Sequence, residues 1–361
     1  MLRIATIATL CFAALPAAAQ TLPPPAFLGQ IVVPSGLSIN GVTFGGISDL
    51  AFDSETNRYF AISDDRVEKG PARYYELELA VTEGVATLNI AATHELKDET
   101  GAAFAPKGID AEGITLDRKG GKLYWSSERD LKNQPALYVS DLDGTNVKRL
   151  ELPDAYLVDD AKTKGVQNNL GFEGLTMTPG RLIAATENAL TQDGPKATPQ
   201  AGSPARILII DTATLKPVAE HVYVTEAISK TPTAAAEPKY NDNGLSALTA
   251  MPDGRFVAVE RNFASGVGNH IRFFIVDLSG AENILGKDKI DAANVRAVSK
   301  TPWFEINEGD FGLDIDNIES LAFGPVVDGK QLFVIASDDN FNPGKQFTQF
   351  VAFAIPANLG Q

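Results

Sequence analysis

Acidic side chains recur at two matched positions along this sequence, beside short apolar runs. One position stands just before an apolar run, and the other ends a second run 14–19 residues later. The pairs are Ser48 and Asp64, Glu112 and Glu128, Glu173 and Glu187, Ser246 and Glu260, and Glu319 and Asp338. Eight of these ten residues are acidic, although Asp and Glu make up only 46 of the 361 residues. Carboxylates gathered at one place would suit a hard divalent cation such as calcium or magnesium.

The elements that must position these acids are five repeated hairpins with tight turns. They run over Ile47 to Asp65, Ala111 to Arg129, Phe172 to Asn188, Leu245 to Asn262 and Ile318 to Asn340. A third and a fourth strand follow each hairpin, except that the fifth unit lacks a fourth strand and the segment Phe27 to Pro34 supplies one. Four antiparallel strands repeated around an axis make a β-propeller. The sequence predicts an all-β fold, a propeller of five four-stranded blades closed by the N-terminal strand.

Other architectures remain open at this point. An all-β sandwich or two tandem domains would also fit a chain of many short strands. A sixth, degenerate blade could lie within residues 190–204 or 281–300.

The propeller fold predicts that all ten positions surround one mouth of the central channel. The start of a strand and the end of its antiparallel partner lie side by side, and the first strand of each blade lines the channel. Carboxylates packed there would raise one another's pKa, which a cation would relieve. We expect the metal ligands to be Asp64, Glu112, Glu128, Glu173, Glu187, Glu260, Glu319 and Asp338, with calcium as the ion. The structural alternative is that these acids cap loop amides or pair with bases.

Arginines accompany the acids in three of the repeats. Arg66, Arg129 and Arg261 follow the acidic position closely. They could neutralise the carboxylates, or bind an anionic substrate such as a phosphoester through bidentate hydrogen bonds. We expect them to be the substrate-binding residues.

Histidine chemistry is not expected at this ring. The three histidines, His94, His221 and His270, all fall outside the ten positions. A Ser-His-Asp triad or a histidine-based lactonase site is therefore disfavoured, as is zinc, which prefers His and Cys ligands.

The N-terminal residues have the features of a secretory signal peptide. A positive start and an apolar stretch end in Ala17-Ala18-Ala19, so residues 1–19 are read as a signal peptide, 20–26 as a Pro-rich leader and 27–357 as one propeller domain. Cys11 would be removed, leaving no cysteine in the mature chain. The net charge of −15 disfavours nucleic acid as a partner. We expect a periplasmic or secreted monomer with no membrane span.

Three of the repeats resemble a known family. DAEGITLD with LYWSSER, GFEGLTMTP with LIAATEN, and NIESLAFGP with FVIASDDN are similar to the bacterial phytase-like family, also described as "esterase-like activity of phytase". The resemblance implies an exported propeller with phosphoester-hydrolase activity and catalytic acids, here Glu112, Glu128, Glu173 and Glu187. Ser48 and Ser246 depart from the glutamate pattern, which disfavours a symmetric metal site.

The leading hypothesis is a metal-dependent phosphoester hydrolase. No side-chain nucleophile paired with a base is visible in the ring, so water activated by the metal is the expected nucleophile. The alternatives are a non-catalytic periplasmic propeller that binds a ligand or metal, and an acidic ring that is purely structural.

Overall fold

The computed structural model of the protein describes residues 22–82 and 84–357. The predicted signal peptide, its cleavage site near Ala19 and Cys11 lie outside the described residues. Among the residues described, there is no helix with the length and hydropathy needed to cross a membrane.

The described residues contain twenty-two strands, and twenty of them form five four-stranded antiparallel sheets. Strand β1 (Ala26–Val33) is followed by a small hairpin of β2 (Ser38–Ile39) and β3 (Val42–Thr43). Blade 1 contains β4 (Ile47–Asp53), β5 (Arg58–Ser63), β6 (Arg73–Thr82) and β7 (Val85–Glu95). Blade 2 contains β8 (Ala111–Asp117), β9 (Lys122–Ser127), β10 (Ala136–Asp141) and the two-residue β11 (Lys148–Arg149).

The remaining blades repeat this order. Blade 3 contains β12 (Phe172–Thr178), β13 (Arg181–Ala189), β14 (Pro204–Asp211) and β15 (Lys216–Val224). Blade 4 contains β16 (Asn241–Ala250), β17 (Phe256–Ala264), β18 (Gly268–Asp277) and β19 (Ser299–Asn307). Blade 5 contains β20 (Ile318–Val327), β21 (Lys330–Ser337) and β22 (Thr348–Pro356), with β1 as its outer strand. Short 3₁₀ helices occur at Asp154–Tyr156, Ala292–Asn294 and Asp310–Gly312.

The five sheets close into a ring, which confirms the predicted propeller. Each first strand contacts the first strand of the next blade, and β20 contacts β4 to complete the circle. The segments 190–204 and 281–300, considered as a sixth blade, hold no sheet of their own. In the second of them, Ile284 and Ile290 pack against Val222 on the outer strand of blade 3.

The N-terminal strand closes blade 5, as the repeat pattern predicts. Strand β1 pairs with β22 from Ala26 opposite Ala354 to Val33 opposite Thr348. The observed strand is shifted by one residue toward the N-terminus relative to the predicted segment Phe27 to Pro34. Because β22 is the last strand of the described chain, the ring depends on a pairing between the two ends of the sequence.

The apolar core is divided among the five interfaces between neighbouring blades. Each of the five large clusters of buried side chains joins two adjacent sheets, as Trp125 in blade 2 and Phe60 in blade 1 do. Both faces of every sheet are therefore covered, so the inner strands read as short apolar runs rather than as a strict alternation.

We predict that the closing strand contributes strongly to stability. A chain starting at Ser35 lacks the buried Val33 and the partly buried Leu28 and Ile31, which pack in the cluster between blades 5 and 1. Its unfolding free energy should fall by about 3 kcal/mol or more, since one fully buried aliphatic side chain contributes about 1.5–3 kcal/mol. Urea unfolding measures this loss, and the exposed β22 edge should also promote self-association. A chain starting at Ala26 is the control, and equal stability of the two truncations would contradict the prediction.

Candidate functional site

A β-bulge interrupts the first strand of every blade at the position that the sequence singled out. The pairing register shifts around Ser48, Glu112, Glu173, Ser246 and Glu319. A bulge inserts an unpaired residue and redirects its side chain. In blades 2, 3 and 5 the redirected side chain is a glutamate.

The acids that end the second strands are held by one repeated backbone hydrogen bond. In four blades the backbone amide of this acid donates to the carbonyl two residues before the bulge residue, at 2.8–2.9 Å. The four amides are those of Asp64, Glu128, Glu187 and Asp338. In blade 4 the residue at this position is Arg261, which lies opposite Gly244, while Glu260 lies opposite Leu245. The sequence alignment of blade 4 was therefore wrong by one residue, and an arginine stands where four blades carry an acid.

Glu260 does not reach the cavity formed by the other acids. Its buried carboxylate accepts hydrogen bonds from Tyr223 at 2.8 Å and from Lys300 at 2.7 Å, and it lies 3.4 Å from Arg272. Tyr223 belongs to blade 3, and both cations belong to blade 4. Glu260 links these two blades, and no metal is needed to satisfy its charge.

Glutamates from three different blades converge at the mouth of the channel. Glu112, Glu173 and Glu319 each place one carboxylate oxygen within 4.8 Å of the others. Ser48 donates to Glu112 Oε2 at 2.5 Å and lies 3.4 Å from Glu319 Oε2. Separate repeats therefore deliver carboxylates to one place, although Glu260 and Ser246 show that not all ten predicted positions meet there.

One oxygen of this cluster has no hydrogen-bond partner. Glu173 is about nine-tenths buried, and its Oε2 atom is shielded from solvent without a donor. In blade 1, Oδ1 of Asp64 is buried without a donor as well. An unsatisfied buried carboxylate oxygen is costly, and a bound cation would satisfy it. The residues present therefore fit a hard cation, since all the ligands are carboxylates and none is His or Cys.

Burial and mutual repulsion shift the pKa values of these acids upward. Burial, and then the neighbouring Glu173, holds the pKa of Glu112 well above its usual range. Burial, and then Glu128, does the same for Glu173. Burial also raises the pKa of Glu128 to about 7 and that of Glu187 to about 8. Without a counter-ion, burial and mutual repulsion therefore favour the protonated form of these carboxyl groups.

A second cluster of three acidic residues lies beside the first, and Glu112 belongs to both clusters. Asp110, Glu112 and Glu128 also place oxygens within 4.8 Å of one another. Asp110 is already paired, because Arg129 Nε donates to it at 2.5 Å and Arg66 Nε lies 3.3 Å away. Glu128 Oε1 accepts from the Gly171 amide at 2.6 Å. This side of the cavity is partly neutralised by protein cations.

The three arginines differ in how far they are engaged. Arg261 contacts Glu319 directly, and its Nη2 lies 3.6 Å from Glu187 Oε1. Arg129 also donates to Asn169 Oδ1 at 2.6 Å. The Nε of Arg66 is buried without a hydrogen-bond partner. Arg66 is thus the least committed of the three.

The acids and bases enclose a cavity of about 370 Å³. Of the predicted site residues, its wall includes Asp64, Arg66, Glu112, Arg129, Glu173, Glu319 and Asp338. Asp338 is buried, and burial raises its pKa well above the usual range. Glu187 lies beside Arg261, where Gly244 has no side chain to obstruct it. Ser246 turns away and donates to the Ile318 carbonyl of the next blade.

Sequence reasoning missed two features of the site. Asp110 stands two residues before the bulge glutamate of blade 2, a position that is not acidic in the other repeats. The equivalence of Arg261 to the acids could have been found from Asn188 and Asn262, which follow the ring position in blades 3 and 4.

Solved structures with a similar overall form show only distant likeness. A thermostable family-43 glycoside hydrolase is 13% identical with a TM-score of 0.43, over 90% of this chain and 95% of that one. The α-L-arabinofuranosidase PaAbf62A from Podospora anserina is 10% identical with a TM-score of 0.42, over 93% and 99%. TolB from Acinetobacter baumannii is 13% identical with a TM-score of 0.33, over 85% of this chain but 54% of TolB, so the chain spans about half of that protein. These likenesses carry no argument about activity.

Among curated proteins, none matches this sequence. A family model does match, under the description "Phytase-like: Esterase-like activity of phytase", over residues 42–341. The match spans all five hairpins, including the bulge glutamates and the acids at the ends of the second strands. The chain therefore belongs to the phytase-like family.

Proposed function

We propose that this protein is an exported, metal-dependent phosphoester hydrolase whose site is the acidic cavity. The observation that carries the proposal is the convergence of Glu112, Glu173 and Glu319 within 4.8 Å, with a buried oxygen of Glu173 left unsatisfied. These three glutamates would hold the cation, with calcium the first candidate. When bound, such an ion polarises a phosphoryl oxygen and lowers the pKa of water.

The residues around the ion divide the remaining tasks. Glu128 has a pKa raised to about 7, which suits a group that accepts a proton from attacking water near neutral pH. Its Oε1 accepts from the Gly171 amide, and its other oxygen, on the side of Glu173, would take the proton. Arg66, the least engaged cation, would contact the phosphate. Arg129 would position Asp110, and Arg261 would hold Glu319 in place.

A non-catalytic binding protein is the second candidate. Arg129 and Arg261 are already committed to protein carboxylates, which leaves less positive charge for a phosphate than the sequence predicted. A propeller that holds a cation without turning over an ester would show the same arrangement.

We predict that calcium binds more tightly at pH 8.5 than at pH 6.0, because the raised pKa values of Glu128 and Glu187 keep these groups protonated at the lower pH. Calorimetry in buffers of different ionisation enthalpy should detect the protons released on binding. Glu112→Gln should weaken binding at both pH values. A folded Glu260→Gln protein is the matched control and should bind normally. Equal affinity at the two pH values would argue against the carboxylate site.

We also predict that the metal-free protein loses stability as pH rises from about 4.5 to 8. The pKa values of Glu128 and Glu187 are higher in the folded protein than the ordinary value of 4.5, so the folded state binds more protons than the unfolded state across this range. Stability must then decrease with increasing pH, by an amount on the order of a few kcal/mol. Thermal melts with a chelator measure the decrease, and calcium should remove most of it. A metal-free melting temperature that rose from pH 5 to pH 8 would have the wrong sign.

Hydrolysis of p-nitrophenyl phosphate tests the activity itself. Glu128→Gln should lower kcat by about 100-fold while calcium still binds, because only the proton acceptor is lost. Glu112→Gln should lower turnover and weaken calcium binding together. Tight binding with no turnover in calcium, magnesium or manganese would reject the hydrolase and support the binding protein.

A further inference from the structure

A serine, a histidine and a glutamate lie in a hydrogen-bonded row outside the acidic cavity. Ser229 Oγ lies 3.0 Å from His270 Nδ1, and His270 Nε2 lies 3.0 Å from Glu305 Oε2. Ser229 is in the loop between β15 and β16, whereas His270 and Glu305 belong to β18 and β19 of blade 4. None of the three lines the acidic cavity.

The protons in this row can be assigned from the donors and acceptors present. A glutamate carboxylate only accepts, so His270 Nε2 carries the hydrogen that points to Glu305. Nδ1 of the neutral ring is then an acceptor, and the Ser229 hydroxyl is the group that can donate to it. Burial lowers the pKa of His270, which keeps the ring neutral and able to take a proton.

A second acceptor competes for the serine proton. Ser229 Oγ also lies 2.6 Å from Asn262 Oδ1. That oxygen already accepts from the backbone amides of Ser229 and Lys230, both at 3.0 Å. The hydroxyl therefore donates to Asn262 in this structure and must turn its hydrogen toward His270 to give up its proton. Asn262 Oδ1 then keeps its two amide donors, so no acceptor is left unsatisfied.

A cation lies on the same face of blade 4. Lys230 Nζ is 3.1 Å from Asn307 Oδ1, and Asn307 pairs directly with His270 across β18 and β19. Side chains of paired residues in antiparallel strands project from the same face of the sheet. Lys230 also directly follows Ser229 in the chain, so its ammonium group would be the electrostatic partner for an oxyanion that develops next to Ser229.

We propose that Ser229, His270 and Glu305 form a second catalytic site that hydrolyses carboxylic esters without a metal. Ser229 is exposed, so a substrate can reach the hydroxyl, while His270 is buried and held in one orientation. The sequence disfavours a Ser-His-Asp triad because no histidine falls in the ring, whereas this row of residues is assembled outside the ring. The site does not depend on the function proposed for the acidic cavity.

The chemistry is an acyl transfer in two steps. Ser229 Oγ attacks the ester carbonyl carbon as its proton passes to His270 Nδ1, and the bond from that carbon to the leaving alkoxy group breaks as the alkoxide takes the proton from His270. Water then gives a proton to His270 and adds to the acyl-serine. The carboxylic acid leaves as Ser229 regains its proton, so no oxidant or other reactant is needed.

Covalent labelling by a fluorophosphonate, followed by peptide mass spectrometry, tests the site directly. We expect one label per chain, on Ser229, in protein treated with chelator. Ser229→Ala should abolish labelling, and His270→Gln should slow it by about 100-fold or more, since the base is lost. Glu305→Gln should slow it only a few-fold, because the Glu305 side chain is 59% exposed and its hydrogen bond competes with water.

Ser279→Ala, which changes an exposed serine after β18, is the matched control and should label normally. Circular dichroism melts establish that each variant is folded. Folded wild-type protein that takes no label, or takes it at another residue, would refute the site. Labelling of Ser229 that is unchanged in His270→Gln would show ordinary surface reactivity and would equally refute it. Chelator should stop the phosphoester reaction alone, which separates the two proposals.

Discussion

Repulsion among buried carboxylates is the constraint on which the centre of this molecule depends. Glu112, Glu173 and Glu319 come from three different blades, so their approach is imposed by closure of the ring and not by local sequence. Like charges brought this close in a partly desolvated cavity destabilise the folded state unless they are protonated or neutralised. The apolar packing between blades must outweigh this cost, and a cation bound in the cavity would reduce it.

The five blades are not equivalent in charge at the end of their second strands. Four blades end their second strand with an acid, whereas blade 4 has Arg261 at the same position. This arginine neutralises the side of the ring formed by Glu187 and Glu319, and Arg66 with Arg129 partly neutralises Asp110. Glu173 is left with an unsatisfied oxygen between these two regions. The fold thus supplies five equivalent positions. Different residues at these positions make one side of the cavity neutral and leave another side negatively charged.

Much of the architecture could be predicted because hairpin repeats are a local signal. Paired apolar runs joined by tight turns, four of which contain glycine, located all five hairpins, and the missing fourth strand indicated closure by the N-terminal segment. The register of blade 4 could not be fixed in this way, because Glu260 and Arg261 are adjacent and either could align with the acids of other blades. Pairing across the sheet decides between them. The contact of Ser229 with His270 joins a loop to a strand 41 residues away, and no repeat or motif marks it.

Closure by β1 also determines when the cavity can exist. Its walls include Asp64 from the first blade and Glu319 and Asp338 from the last, and β1 must wait for β22 before blade 5 is complete. During synthesis, the blades that emerge early therefore carry their acids on an open arc, where solvent screens each charge. The full electrostatic cost arises only when β1 pairs with β22 and the ring closes.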